Sequence, residues 1–472
     1  MNYTDQIFFA FFIIVFSLYY LARTVKQQLL VIVIASLFFY SWEAPPLLAI
    51  FLCSWVITGV SSWYVLSLSD IKSKKIAAFS GVAANLLMLG FFKYKFLFLA
   101  DYIYLHHDLA ESVVDWLILA PLPIGISFYS FHGISLLVDI YRGNARVFVN
   151  RRLRITEHLA ETLLYLVFFP QLIAGPIIKA RDFFPQVCIK RFCDIDFTSC
   201  FRLLILGYFL KSVVADNLSD QTFWIVYPYF QWKSSGDLLM MLYGYSAQIF
   251  ADFAGYSLIA LGLGKLLGYN LPENFNFPYL SSSISEFWKR WHISLSSWLR
   301  DYLYIPLGGS KSGKVRTYIN LLLVMVLGGL WHGAALSFLV WGVWHGLGLV
   351  LERPWLKSKF FLSDNLVIVT IRVFLVFNFV TIGWLFFKLQ DFSQAMAFIK
   401  MIYHSEVGGI SSINFSGGYF ILAFSLPVFF YHLQSRFNNL IPRFIKDSIY
   451  GIMLFLILTN AGPSKPFIYF QF

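Results

Sequence analysis

Two histidines set in tryptophan-rich apolar sequence, His332 in "LWHGAA" and His292 in "KRWHISLS", are the residues of this chain best suited to moving a proton. A neutral imidazole can take a proton from a hydroxyl while that oxygen attacks a carbonyl, and a well-placed acid or base is worth about 100- to 10,000-fold in rate. The same side chain could instead only bond a neighbouring carbonyl. An ionisable group at the centre of a membrane helix costs about 2.5–3.5 kcal/mol on insertion scales, so such residues usually face a polar path and serve function. His345 repeats the Trp-His-Gly triplet of His332, and His132 sits in "SFYSFHGIS"; both read as packing or lining residues.

Other polar groups fall into lines on helical faces. Gln248, Asp252 and Tyr256 in "YSAQIFADFAGYS" are spaced i, i+4, i+8 inside an apolar run. A carboxylate there needs partners, and Asp252 either orients a histidine or bonds nearby hydroxyls. Residues 273–310 mix tryptophans with Glu286, Lys289, Arg290, His292, Arg300 and Asp301. Read as one helix from about Ser285, capped by preceding serines, the segment aligns Trp288, His292, Leu295, Leu299 and Tyr302 on one stripe. Glu286 and Arg290, four apart, pair along its flank. Such a helix is either an aromatic-anchored interfacial element or part of a catalytic site. There is no G-x-S-x-G elbow, no phosphate loop and no H-E-x-x-H motif. The four cysteines lack paired metal-ligand spacing, so neither disulfides nor a metal site is expected.

The elements that must position these groups are membrane helices. Of 472 residues, 58% are hydrophobic, 20% aromatic and 13% charged, against about 25% charged in a soluble domain. Apolar runs recur near the length of about 20 residues that crosses hydrocarbon, so an all-α polytopic membrane protein is expected, not a barrel. Basic loops at 23–28, 71–75 and 141–154 alternate with less basic ones at 42–46 and 106–115. Positive charge gathers on the cytoplasmic side, which places the N-terminus outside and spans near 7–22, 29–42, 47–66, 76–92 and 121–140. The first run precedes its positive charges, the reverse of a cleavable signal peptide, and reads as a retained anchor.

Residues 158–177 break the alternation, lying between two basic loops and carrying Pro170, Gly175 and Pro176. They read as a re-entrant element lining an internal chamber. Basic loops at 308–316 and 352–359 require the residues between them to go out and come back, with His332 near the turn. Later spans near 365–387, 419–434 and 448–461 leave the C-terminus outside. The net charge of +11 is scattered among loops; it suits anionic lipid or an anionic donor nucleotide, and no nucleic-acid stripe is formed.

Taken together, the motifs "LPIGISFYSFHGISLLVDIYRG", "FFPQLIAGPI", "QIFADFAGYS", "PENFNFPYLSSSISEFWKRWHISLSSWLRDYLYIPLGG", "LGGLWHGAA" and the terminal "FIYFQF" resemble the membrane-bound O-acyltransferase family. The likeness is to its bacterial branch of alginate O-acetyltransferases and peptidoglycan O-acetyl-transfer proteins. The resemblance implies a ring of transmembrane and re-entrant helices around a central tunnel that joins a cytoplasmic donor entrance to an outer funnel. It implies catalytic roles for His332 and His292, with Trp288, Arg290, Trp331, Asp252 and Gln248 lining the tunnel or binding donor. One departure is Leu258, which stands where the family often carries an acid.

The terminal motif is similar to one that relays an acyl group in a D-alanyl-transfer system, and maps the acceptor tyrosine onto Tyr469; an interfacial aromatic anchor is the other reading. The chain is expected to be a single membrane domain over 1–472. Within it fall N-terminal helices in 1–115, a catalytic core at about 120–352, C-terminal helices in 353–461 and the tyrosine motif in 463–472. The implied activity is transfer of an acyl group, acetyl from acetyl-CoA, across the inner membrane for O-acetylation of an exported or cell-wall polysaccharide. A periplasmic SGNH-type transferase is the implied partner, and no bound cofactor is implied. A transporter, or a scaffold for polysaccharide modification, is the competing class.

Overall fold

The computed structural model describes residues 1–42, 44–105, 112–144, 154–172, 175–404, 415–437 and 441–468. Tyr469 and parts of the loops at 106–115, 141–154 and 435–447 lie outside the described residues. Among those described, every regular element is helical, and an isolated bridge joins Phe275 to Trp291. Among the described residues six helices are long and apolar enough to cross a membrane: Leu47–Ser67, Ile71–Ala100, Phe197–Ile225, Ser235–Leu266, Lys314–His332 and Leu366–Lys388. The all-α membrane architecture read from composition is the one observed. Two compact units form, one from Met1–Cys200 with Ala260–Pro272, the other from Phe201–Ile259 with Glu273–Phe472.

The first unit contains α1 (Gln6–Leu21), α2 (Val25–Ser41), α3 (Leu47–Ser67), α4 (Ile71–Leu105), α5 (Val113–Leu119), α6 (Ile126–Tyr141) and α7 (Ile155–Val167). α4 outruns its expected span and bends at Leu99, whose backbone is non-helical. α3, α4 and α6 meet through small residues: a Cβ on Gly133 would stand 2.8 Å from Thr58 Oγ1, and one on Gly81 2.7 Å from Ser61 Cβ. Asn85 ties α4 to α3 by donating to Thr58 Oγ1 at 3.1 Å, and donates within α4 to the Gly81 carbonyl at 2.9 Å. Lipid offers helices no hydrophobic incentive to associate, so close packing and such bonds hold them together.

The interruption expected at 158–177 is present. α7 stops at Val167, one turn follows at Phe169–Leu172, and the chain from Gly175 runs without helix to a turn at Ala180–Phe183. Side chains take up the freed backbone groups, as a buried break requires. The Tyr3 hydroxyl donates to the carbonyls of Phe169 (2.9 Å) and Pro170 (3.2 Å), and the Phe169 N–H donates to Ser36 Oγ. The Tyr165 hydroxyl donates to the Ile178 carbonyl at 2.8 Å.

In the second unit the chain continues from α8 (Phe197–Tyr208), which begins at the edge of the first, through a π-helical turn at Phe209–Ala215 to α9 (Asp216–Thr222). α10 (Ser235–Leu266) is the most deeply buried of the six spans, 89% of its most apolar window being inside the protein. α11 (Ile284–Arg290), α12 (Ile293–Leu299), α13 (Lys314–His332), α14 (Leu336–Glu352), α15 (Leu366–Lys388), α16 (Phe392–His404), α17 (Phe415–Phe437) and α18 (Arg443–Thr459) follow.

α13 and α14 are the expected out-and-back pair, turning at residues 333–335 with His332 the last helical residue. Their backbones touch: a Cβ on Gly329 would lie 2.3 Å from the Phe338 carbonyl oxygen, and one on Gly342 2.5 Å from that of Met325. Gly329→Leu will therefore push the pair apart three residues from His332. We expect a loss of about 1–3 kcal/mol or more, read as a lowered thermal midpoint in detergent together with reduced activity.

Candidate active site

The sequence pattern suggested one helix through His292; the structure breaks it there. α11 ends at Arg290 and α12 begins at Ile293, with His292 between them at φ 44°, ψ 54°. The single stripe from Trp288 to Tyr302 is therefore two short helices meeting at a corner. The cause lies in residues 273–277, whose backbone competes for the same groups: the Asn276 N–H donates to the Arg290 carbonyl (3.0 Å) and the Ile293 N–H to that of Asn274 (2.9 Å). Asn274 also supplies the cap that His292 does not, its Oδ1 accepting from the Ser294 hydroxyl at 2.6 Å while its amide donates to Ser257 at 3.0 Å. Left-handed backbone is uncommon outside glycine but enriched in His and Asn.

α11 is fixed at its start as well. Ser283 caps it by accepting from the Glu286 N–H at 3.0 Å, and the Glu352 carboxylate accepts the N–H groups of Ile284 and Ser285, the latter at 3.1 Å. Glu286 pairs with Arg290 at 2.7 Å, as the spacing implied.

These constraints place His292 against Trp331 and Phe253, with ring centroids 6.4 and 4.6 Å away. His332 meets Trp331 at 4.9 Å, Phe387 at 5.0 Å and Trp341 at 5.2 Å, and only 5% of it is exposed. The two imidazoles thus share the Trp331 indole as a neighbour. Trp288 lies one ring further out, 5.6 Å from Trp341.

Burial pushes the His292 imidazole down to about 3. The unfolded chain takes up that proton near about pH 6.5, so the stability tied to neutral His292 is complete above 6.5 and is lost as pH falls toward 3. His292→Asn keeps a residue that tolerates the corner and removes the titrating ring. Acidification from pH 7 to pH 5 should lower the thermal midpoint of the wild type more than that of this variant.

A cavity of about 580 Å³ reaches His332. Leu321, Val324, Met325, Gly328 and His332 line it at three- and four-residue spacing, one face of α13. From Leu321 to His332 that face runs about 16 Å at 1.5 Å per residue. Trp288 and Trp341 also line it, and exposed Lys289, Arg300 and Arg353 contribute cations. Arg300 is paired with Asp301 at 2.8 Å.

His292, Trp331, Arg290, Gln248 and Asp252 are not in that lining. Arg290 is held by Glu286 and the Asn276 carbonyl; Gln248 accepts from the Thr222 hydroxyl at 2.5 Å; Asp252 binds Lys211 at 2.8 Å. His345 is buried among Trp341, Trp288 and Phe379, with no hydrogen-bond partner for either ring nitrogen among the described residues. His132, in the first unit, packs on Tyr165 at 5.3 Å. The sequence reading passed over Glu352, which seats α11, and Lys211, a cation inside the apolar run "GYFLKSVVA" that required a carboxylate partner. Among the described residues no group of three His, Cys, Asp or Glu is placed to hold a metal ion.

An all-helical membrane protein with two tryptophan-flanked histidines buried in one unit, one of them in a cavity carrying basic residues, belongs to a class of integral-membrane enzymes. Residues 34–390 match the model of MBOAT, the membrane-bound O-acyltransferase family, and the chain belongs to that family. It is similar to the "Probable alginate O-acetylase AlgI" of Pseudomonas syringae pv. tomato, 37% identical over 409 residues that cover 84% of this chain and 74% of the relative. It is similar also to the "Peptidoglycan O-acetyltransferase" of Helicobacter pylori, 31% identical over 427 residues, 84% of this chain and 78% of that one. The "Teichoic acid D-alanyltransferase" of Bacillus subtilis matches at 28% over 283 residues, 57% and 69% of the two chains. The protein is a membrane O-acyltransferase.

Proposed function

We propose that the chain moves an acetyl group from cytoplasmic acetyl-CoA to Tyr469, in the "FIYFQF" motif, on the outer side. From there a periplasmic SGNH-type transferase passes it to an exported or cell-wall polysaccharide such as alginate or peptidoglycan. The carrying observation is the cavity along one face of α13, with exposed cations among its lining residues and a buried imidazole. Lys289, Arg300 and Arg353 match the phosphates of a nucleotide donor, and the apolar face of α13 matches its uncharged arm. The relatives named for O-acetylation support the acetyl group. In this reading the protein sits in the bacterial inner membrane with both termini outside.

His332 takes the proton of the acceptor hydroxyl as that oxygen attacks the thioester carbonyl. The tetrahedral adduct expels the CoA sulfur, which leaves as the thiol with the proton returned from His332, and an acetyl ester remains on the acceptor. Trp288 and Trp341 keep water from competing for the thioester. His292 polarises the carbonyl or seats the pantetheine end. In His292→Asn a fall in kcat alone identifies the first role and a rise in KM the second.

The test uses purified protein in lipid with acetyl-labelled CoA. Label should move to the protein's C-terminal peptide in the wild type and not in His332→Ala. Wild-type protein that leaves the labelled thioester untouched, while passing substrate across vesicles, overturns the reading in favour of transport.

A further inference from the structure

The backbones of α10 and of residues 207–211 are in direct contact: a Cβ on Gly207 would stand 2.9 Å from the Gly255 carbonyl oxygen, and one on Gly255 2.8 Å from the Lys211 nitrogen. This closeness sets the Lys211 ammonium between Asp216 at 2.7 Å and Asp252 at 2.8 Å, all three side chains buried. Charge clusters of this kind are weak evidence for stability, since well-packed apolar replacements are often as stable. This cluster also holds the end of the described chain. Lys211 Nζ donates to the Lys465 carbonyl at 3.0 Å, and Asp252 Oδ2 accepts the Ile468 N–H at 2.8 Å.

The grip extends outward along the same segment. The Gly462 N–H donates to the Ser212 carbonyl at 2.8 Å, and Lys465 pairs with Asp220 at 3.0 Å. Phe467 is fully buried against Tyr256 at 4.6 Å and Phe253 at 5.6 Å, and Phe253 also meets the His292 ring at 4.6 Å. A carboxylate thus holds main chain one residue before Tyr469, two aromatic contacts from a candidate catalytic histidine.

We propose that Lys211, Asp216 and Asp252 form a buried clamp that fixes residues 462–468 through their backbone, and that acyl transfer to Tyr469 depends on this hold. The inference rests on the reading of Tyr469 as acyl acceptor. Binding through the main chain suits that task, because bonds to charged groups are the strong ones. The three are positioning residues, acting through the tail they hold.

The test separates holding from transfer. Wild type, Asp252→Asn and Phe467→Ala are purified in lipid, digested with a carboxypeptidase and followed by intact mass. Asp252→Asn is isosteric and leaves Lys211 its bond to Asp216; Phe467→Ala touches no charge. Asp252→Asn should be trimmed past Phe467 about tenfold faster than wild type, the scale of one lost bond to a charged group, and Phe467→Ala at least about tenfold faster, from the lost packing of a buried ring. Each should also acetylate its own Tyr469 about tenfold more slowly.

Wild-type trimming in either variant, or faster trimming with undiminished self-acetylation, overturns the clamp. Should Asp252→Asn not fold, Phe467→Ala decides by the same two readings. Tyr469→Phe with undiminished polymer acetylation instead removes the acceptor reading, and the trimming data then still report whether the tail is held.

Discussion

In His332→Gln, transfer of label from acetyl-CoA falls by about 100- to 10,000-fold, the range of a lost general base. Glutamine fills most of the imidazole's space beside Trp331, Trp341 and Phe387 and keeps a polar head, so the variant folds. Its amide cannot take a proton from a hydroxyl. Because the cations of the cavity are on other residues, Lys289, Arg300 and Arg353, the loss falls on kcat while KM for the donor stays near that of the wild type. A kcat within threefold of wild type, measured by single turnover in lipid, would show that the proton leaves by another route.

Tyr469→Phe ends polymer acetylation in cells altogether, with normal protein level and normal detergent behaviour. Phenylalanine preserves the aromatic ring that an interfacial anchor uses and removes only the oxygen that would carry the acyl group. The variant should still bind donor, so protection of the thioester against added base is retained. Polymer acetylated to more than half the wild-type level would leave the terminal aromatic residues as an anchor.

Most of the fold was legible because lipid imposes one rule on every span. The apolar runs and the basic loops between them located α1, α2, α3, α6, α15, α17 and α18 within a few residues. Loop charges and apolar runs do not mark the helices at Phe197–Ile225 and Ser235–Leu266 as spans. Lys211, Asp216 and Asp220 dilute the hydropathy of the first, and only the fold shows that Lys211 is neutralised by Asp216 and Asp252. The break at His292 was hidden for a related reason. Residues 284–299 carry helical periodicity throughout, and the groups that stop the helix come from Asn274 and Asn276. Local pattern cannot report a competitor so far upstream.

The candidate site divides the same way. The Glu286–Arg290 pair follows from spacing, while the position of His332 near a turn follows from the basic loops on either side and its candidate role from the family resemblance. Asp252 was recognised as needing partners, but hydroxyls or a histidine were expected; it meets an ammonium and a backbone N–H. Gln248 likewise faces Thr222. Which face of a buried helix meets which neighbour depends on how closely the neighbour approaches, and here the glycines at 207 and 255 decide it.

The contact of main chain on main chain at Gly329 and Gly342 leaves no pliable side chain between α13 and α14 to absorb a displacement. The hairpin is in effect a stiff lever. Arg353 follows directly on the end of α14 and His332 is the last residue of α13, so the distance between guanidinium-bearing and imidazole-bearing backbone is set by main-chain contact and not by the rotamers of intervening side chains.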